Sequence, residues 1–362
     1  MKIIHCSDLH LDSKMQSNLD SKRAKERRNE ILITYQNMIK YAVENGVQVI
    51  LIAGDLFDKK NITVKAKNVV MDSIISNPGI DFIYLKGNHD ESSFLIDIEN
   101  IPQNLKLFNQ KQWTTYRYGN ITISGIEFGE LSNYEIYSRL MLNKNDINIV
   151  ILHGQESKYD QKDKTEIINI SELKNKNIDY LALGHIHKYK QEKLDNRGIY
   201  CYSGCLEGRG FDECGEKGFV LLNINELTQK IDSKLIPIAG RHLYEIHVDV
   251  SDTLTTIDTE TQIDKKILSI EKDALIKIVL TGRVGIETER DISFLEKKYN
   301  QIYYFAKIYD ETTLDIDYMT YENDASLKGE FIRLVLAQNI TEEEKRKIIT
   351  TGIKALSGEE VN

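Results

Sequence analysis

Nearly every short β-branched run in the first 240 residues of this chain ends in a cluster of polar residues, and that recurrence constrains the fold more than any other feature. The runs lie at 2–6, 47–53, 81–85, 121–125, 147–152 and 180–184. The clusters are Ser7-Asp8-Leu9-His10, Gly54-Asp55, Lys86-Gly87-Asn88-His89-Asp90, His153-Gly154 and His185-Ile186-His187. Helical patterns separate the runs. In the first of them Ile31, Tyr35, Met38 and Ala42 recur at spacings of three and four, and Gly46 stands where a helix C-cap is expected. Strands alternating with helices predict an α/β layered domain. Sheets of that kind gather their active-site residues at strand ends.

Seven side chains of these clusters form a set with its own chemistry: Asp8, His10, Asp55, Asn88, His153, His185 and His187. All offer oxygen or imidazole nitrogen and none a thiolate, which suits Mn²⁺, Fe²⁺ or Zn²⁺ rather than an iron–sulfur or Cu(I) site. The Asp-x-His and His-x-His spacings put alternate residues on one side of an extended or turning backbone, so both can face one pocket. Seven ligands exceed one tetrahedral centre. With one carboxylate bridging, two ions would each receive four protein ligands and keep positions open for water and a phosphate oxygen. Singly, the motifs have plainer readings: a chance Asp-x-His, an Asp capping a helix after Gly54, an Asn-rich turn, an exposed histidine pair. Joined in this order, each at a strand end, they read as one metal site.

Around residues 237–240 the pattern changes. Residues 241–312 hold strand-like stretches at 244–250, 274–280 and 302–308, with helical stretches near 261–271 and 290–299. From 325 onward two amphipathic helices are expected, one carrying Leu327, Phe331, Leu334 and Val335, the other Ile349, Ile353 and Leu356. Thr341 and Glu344 have capping-box spacing for the second. The expected division is 1–240, 241–315 and 316–362.

Of the net charge of −9, residues 1–240 carry −1 (31 basic, 32 acidic) and residues 241–362 carry −8 (16 basic, 24 acidic). Phosphate contacts dominate nucleic-acid affinity, so any DNA must meet the first two thirds, through local patches. The run Lys22-Arg23-Ala24-Lys25-Glu26-Arg27-Arg28 is one candidate patch; a solvated helix face is the other reading. An apolar share of 41% with mixed charges excludes a disordered chain. No stretch approaches the ~18 apolar residues of a membrane span, and the N-terminus reads straight into a strand without a signal core. Four cysteines without a closely spaced pair suggest no disulfide framework and a cytoplasmic location. Cys201, Cys205 and Cys214 lack the close pair and fourth ligand of a structural zinc site. They read as plain thiols, and Cys6 as strand core.

The five blocks, in their order, resemble the calcineurin-like binuclear metallophosphoesterases, and more narrowly the SbcD-type branch of DNA-repair nucleases. Cys-Ser-Asp-Leu-His-Leu-Asp at 6–12, Ile-Ala-Gly-Asp-Leu-Phe-Asp at 52–58 and Gly-His-Ile-His-Lys at 184–188 carry the resemblance. Tyr202-Ser203-Gly204-Cys205-Leu206-Glu207 is similar to the family's Tyr-Pro-Gly-Ser-x-Glu turn, with Ser203 in place of Pro and Cys205 in place of Ser. The ending Ser-Leu-Lys-Gly-Glu-Phe, then Gly352 and Ala355-Leu356-Ser357-Gly358, resembles the YhaO-type subgroup.

The resemblance implies a four-layer sandwich, two mixed β-sheets flanked by helices, with a small α+β capping domain and a C-terminal helical tail. It implies two divalent ions, Mn²⁺ first, with Fe²⁺, Zn²⁺ or Mg²⁺ as alternatives. Asp8, His10, Asp55 and His187 would hold one; Asp55, Asn88, His153 and His185 the other, with Asp55 bridging. His89 matches the family's general acid, a role suited to imidazole. Asp90 would orient His89 or its loop. Asp58 stands where archaeal and eukaryotic members carry a histidine. The implied function is a DNA nuclease, a 3′→5′ exonuclease with single-strand endonuclease activity, whose C-terminal helices either dock on an SbcC- or YhaN-like coiled-coil ATPase or pack on their own chain. A homodimer through the Ile31–Ala42 stripe is a further implied partner, against the reading of that stripe as core. Two rival functions share the site: a small-molecule phosphodiesterase or phosphatase, and a non-catalytic scaffold.

Overall fold

The computed structural model describes residues 1–15, 19–58, 62–90, 101–157, 167–285, 288–315 and 324–356; Ser357 and Gly358 of the C-terminal motif lie outside them. The chain divides into two compact units, Met1–His242 and Leu243–Asn362.

In chain order the first unit holds β1 (Lys2–Cys6), β2 (Val49–Ala53), β3 (Asp81–Leu85), β4 (Leu105–Leu107), β5 (Thr114–Tyr118), β6 (Ile121–Gly125) and β7 (Ile147–His153). There follow β8 (Gln155–Ser157), β9 (Ile167–Asn169), β10 (Tyr180–Gly184), β11 (Lys190–Lys193), β12 (Ile199–Tyr202), β13 (Gly218–Asn225) and β14 (Lys230–Pro237). Two six-stranded sheets form, in the orders β14-β13-β1-β2-β3-β4 and β11-β12-β10-β7-β6-β5. In each, four neighbouring strands are parallel; antiparallel β13 and β14 close one edge of the first sheet, and antiparallel β11 and β5 close the two edges of the second.

The near-continuous apolar strands follow from burial on both faces. Side chains alternate between layers: Ile50 and Ile52 of β2 join the core beneath the helices, while Val49, Leu51 and Ala53 join the core between the sheets. That inner core also takes Ile3, Ile123, Ile149, Ile151 and Tyr180. Helices α1 (Ser21–Glu44) and α2 (Val64–Ile75) cover the first sheet; α3 (Asn133–Ser138) and α4 (Ile170–Leu173) cover the second. The result is the expected α/β sandwich of helix, sheet, sheet and helix. Each fully buried Ile or Leu contributes about 1.5–3 kcal/mol before chain entropy is charged against it.

Asp20 caps α1 by accepting from the backbone N–H groups of Lys22 and Arg23, both at 2.9 Å. The stripe of Ile31, Tyr35, Met38 and Ala42 is buried in this unit's own core, which leaves it unavailable as a dimer face. The basic run at 22–28 fits neither expectation at Arg27. Its guanidinium is 1% exposed and donates to Glu207 Oε1 (2.9 Å) and the Gly208 carbonyl (2.7 Å), because a buried carboxylate there needs a cation.

The second unit has a three-stranded parallel sheet, β15 (Leu243–Asp249), β16 (Leu275–Thr281) and, after the short β17 (Arg283–Val284), β18 (Phe305–Asp310); β19 (Thr313–Leu314) pairs with β17. Helices α5 (Thr256–Ile267) and α6 (Ile292–Ile302) bury Ile263, Ile267, Leu295 and Tyr299 with the sheet's core. α5 starts ahead of the expected 261 because Thr255 and Asp258 form a capping box. The last strand starts at Phe305 rather than 302 because α6 continues through Ile302. In α7 (Leu327–Leu336) and α8 (Glu342–Leu356), Ile332, Val335, Ile349 and Ile353 bury one another, and Thr341 and Glu344 make their reciprocal bonds. These apolar stripes therefore pack largely on each other, while Leu327 and Leu334 stay exposed. Among the described residues, no helix is long and apolar enough to cross a membrane.

Candidate metal centre

Strand register brings the polar clusters together. β1 and β2 run parallel with Cys6 opposite Ile52, so Asp8 and Asp55 leave the first sheet side by side. β7 and β10 pair with His153 opposite Gly184, which delivers His153 and His185 from the second sheet. Right after the strands the backbone turns left-handed at four non-glycine residues: φ is 52° at Asp8, 44° at His10, 51° at Asp55 and 100° at His185. Such conformations cost on the order of 1–3 kcal/mol each and persist only where the surroundings over-determine them. Here they do. Asp8 N donates to Gly54 O, His10 N to Asp55 O and Leu11 N to Leu56 O, each at 3.0 Å. Gly184 permits the approach of the sheets, since a Cβ there would lie 1.8 Å from the Ala53 carbonyl oxygen. At Gly54, with φ of 86°, a Cβ would lie 2.1 Å from His153 Nδ1.

Ligand atoms of Asp8, His10 and His187 lie within 4.8 Å of one another, as do those of Asp8, Asp55 and His153. His10 Nε2 faces His187 Nε2 at 3.2 Å and Asp55 Oδ2 at 3.7 Å. On the other side of Asp55, the same Oδ2 lies 3.4 Å from His153 Nε2, which is 3.0 Å from Asn88 Oδ1. Asp55 Oδ1 is committed to the His89 N–H at 2.9 Å, so Oδ2 is the oxygen between the two groups. The Asp8 carboxylate accepts from His185 N at 2.9 and 3.1 Å and from the Ser7 hydroxyl at 2.6 Å. The His185 ring stands edge-on to His153, with centroids 5.4 Å apart.

This donor set fits a cation. His153 Nδ1 is 2.9 Å from the Ala53 carbonyl, which can only accept, so that nitrogen carries the hydrogen and donates it. Nε2 then points a lone pair at two acceptors, Asn88 Oδ1 and Asp55 Oδ2. Acceptors facing acceptors need positive charge between them. Without metal, a proton supplies it: burial opposes charging His153, but the hydrogen bond to Asp55 and the charge of Asp8 raise it to about 9. Asp55 behaves reciprocally; burial pushes its carboxyl up, but His153 and His10 outweigh it and hold it at about 2. The same field would favour a divalent ion.

His89 sits at the opening, its side chain 36% exposed, with Nδ1 3.4 Å from Asp58 Oδ1. That Asp58 oxygen is also 3.8 Å from His10 Nδ1. Asp90 serves its loop rather than the His89 ring: its carboxylate accepts from Leu56 N, Phe57 N and Gly87 N at 2.9–3.1 Å. Residues that the motifs did not flag surround His187. Glu213 Oε1 accepts from His187 Nδ1 at 2.6 Å, and Arg209 pairs with the same carboxylate at 2.7 Å. The signal for them is weak, a few charged residues after a strand-end turn. Cys6, Cys201 and Cys205 are buried thiols; burial pushes Cys201 up to about 12 and raises the other two as well. Cys214 Sγ donates to the Phe211 carbonyl.

A two-sheet sandwich with oxygen and imidazole donors converging at its strand ends defines a metallophosphoesterase. Residues 1–189 match the calcineurin-like phosphoesterase family, and the chain belongs to that family, whose members use a pair of metal ions. It is 27% identical over 235 residues to the uncharacterized metallophosphoesterase YhaO of Bacillus subtilis, a match covering 62% of this chain and 57% of that protein. It is 28% identical over 339 residues to the DNA double-strand break repair protein Mre11 of Sulfurisphaera tokodaii, covering 87% of this chain and 82% of that one. With Mre11 of Saccharolobus solfataricus the identity is 25%, covering 100% and 96%. A dimetal phosphatase from Danio rerio superimposes with a TM-score of 0.39 at 11% identity, covering 61% of this chain and 92% of that one.

Proposed function

We propose that this chain is a metal-dependent DNA repair nuclease that hydrolyses phosphodiester bonds, as a 3′→5′ exonuclease and single-strand endonuclease acting with an SbcC- or YhaN-like ATPase. One observation carries the DNA substrate: the likeness to the Sulfurisphaera repair protein covers 87% of the chain and so runs well past residue 189, where the phosphoesterase match ends. A small-molecule phosphoesterase needs no second unit.

In this reading Asp8, His10, Asp55 and His187 hold one ion and Asp55, Asn88, His153 and His185 the other. Bound there, the ions supply Lewis-acid activation of water and neutralise charge on the phosphoryl oxygens. The chain's own residues do the rest. His89, reachable at the opening, protonates the leaving oxygen, and Asp58 orients its ring. Asp90 holds the loop that carries Asn88 and His89 against the loop after β2. The ligand set contains no redox-active thiolate, and Mn²⁺ is the ion proposed. Residues 241–315 act as the capping region for DNA, and α7 offers Leu327 and Leu334 to the ATPase.

The test is a parallel assay with Mn²⁺ on single-stranded DNA, a cyclic nucleotide and a chromogenic phosphodiester. DNA cleavage exceeding turnover of the small molecules is the expected result. Efficient turnover of the small molecules with DNA untouched would overturn the nuclease and favour the small-molecule enzyme.

A further inference from the structure

His153 and His187 both reach the site from the second sheet's strand ends with Nδ1 anchored, but by different chemistry. His153 gives its Nδ1–H to a neutral backbone carbonyl, Ala53 O, which no side-chain substitution removes. His187 Nδ1 lies 2.6 Å from Glu213 Oε1, a carboxylate oxygen that can only accept, so this nitrogen carries the hydrogen and donates it, with Arg209 Nη2 3.1 Å away on the same nitrogen. That carboxylate is 3% exposed and fully engaged. Oε1 also accepts from Arg209 Nη2 (2.7 Å) and Nε (3.1 Å), and Oε2 accepts from the Arg209 backbone N–H (2.8 Å).

The same stretch of chain grips the backbone of His187. Its carbonyl accepts from Lys217 Nζ at 2.7 Å, from Cys205 N at 3.4 Å and from Cys205 Sγ at 3.5 Å. Lys217 is 4% exposed, and a buried ammonium spent on one carbonyl is costly unless that carbonyl's position matters. Residues 205–217 thus fix His187 at both its ring and its backbone. The ring's remaining nitrogen, Nε2, faces His10 Nε2 and Asp8 Oδ1, at 3.2 and 3.9 Å.

We propose that Glu213 is a positioning residue for one ion of the pair: it fixes the His187 tautomer with Nε2 free to ligate and raises the basicity of that nitrogen, while Arg209 neutralises and orients the carboxylate. This rests on the binuclear reading of the site. The consequence is an asymmetric pair. The ring of His187 depends on a charged side-chain partner, and the ring of His153 on a backbone carbonyl. Carboxylates behind ligating histidines typically account for about 10–100-fold in metal affinity.

The experiment is Mn²⁺ titration of the full chain by calorimetry, with thermal unfolding of each metal-free variant beside it. The wild-type chain takes up two ions. Glu213→Gln keeps an acceptor for the Nδ1–H but loses the charge, so one ion weakens by roughly 10–100-fold and the other stays unchanged. Glu213→Ala, which also leaves Arg209 without its carboxylate, weakens that ion further. In a His187→Ala background, Glu213→Gln adds no further loss, because its effect passes through that ring. Unchanged affinities in Glu213→Gln would overturn the proposal. So would two affinities falling together alongside a lowered metal-free melting temperature, which marks a merely structural residue, or a full Glu213→Gln effect without His187. A wild-type chain that takes up fewer than two ions would instead overturn the binuclear reading itself.

Discussion

Both units are built on parallel strands flanked by helices, and both place aspartates at or just past strand ends, but the aspartates do different things. In the second unit Asp249 ends β15 and accepts from the Ser251 backbone and hydroxyl, and Asp310 ends β18 and does the same for Thr312. Both are exposed last residues of their strands, and Asp310 also pairs with Arg290 at 3.2 Å. In the first unit Asp8 and Asp55 are 0% and 1% exposed, sit in left-handed backbone, and face histidines from the other sheet. All the positive-φ non-glycine residues among the described residues belong to the first unit. A strand-end aspartate is therefore no sign of a site by itself. Convergence from two sheets, burial and strained backbone mark one.

The largest effect that separates the units is loss of metal. Asp55→Ala removes the oxygen between the two groups of ligands, so Mn²⁺ titration should fall from two ions to none; retention of two ions refutes the bridging assignment. Asp249→Ala should leave titration unchanged and alter stability by under about 0.5 kcal/mol. Next comes chemistry without binding. His89→Gln should cut DNA cleavage on the order of 10²–10⁴-fold at unchanged metal content. Cleavage at the wild-type rate would remove His89 from the reaction.

Packing around the site gives a smaller contrast, read by denaturant unfolding. Gly184→Ala drives a methyl into the Ala53 carbonyl at 1.8 Å, backbone that cannot step aside, and should cost roughly 1–3 kcal/mol or more. Gly285→Ala in the second unit meets nothing within 4 Å and should be near neutral. Equal costs would break the comparison.

Acid stability is the mildest test. His5 is buried beneath the site, its Nδ1 2.9 Å from the Tyr180 hydroxyl, and burial lowers it from 6.5 to about 3. Between those values the unfolded chain binds a proton that the folded chain does not. Stability should fall as pH drops from 6.5 towards 3, with a slope of up to ~1.4 kcal/mol per pH unit. His5→Gln should flatten that part of the profile, and an unchanged slope would assign it to other groups.

Much of the first unit was legible because β-branched runs and their terminal clusters are local signals. β1, β3, β6 and β10 fall where the runs at 2–6, 81–85, 121–125 and 180–184 lie. Boundaries in the second unit drifted where a cap decided them, as Thr255 did for α5. The contacts that stayed hidden are those between residues distant in sequence. Arg27 reads as one of a basic run until Glu207, 180 residues on, is folded beneath it. Glu213 carries no motif, and its meaning comes only from the His187 ring it meets. The same holds for Asp90, whose place in a Gly-Asn-His-Asp run suggests the imidazole but whose carboxylate accepts from backbone amides of two loops.

The central claim is that donors from separate loops converge to hold two cations side by side. Anomalous diffraction from a Mn²⁺-soaked crystal tests it directly. Two peaks are expected, one among Asp8, His10, Asp55 and His187, the other among Asp55, Asn88, His153 and His185. A single peak, or peaks away from these residues, would contradict it.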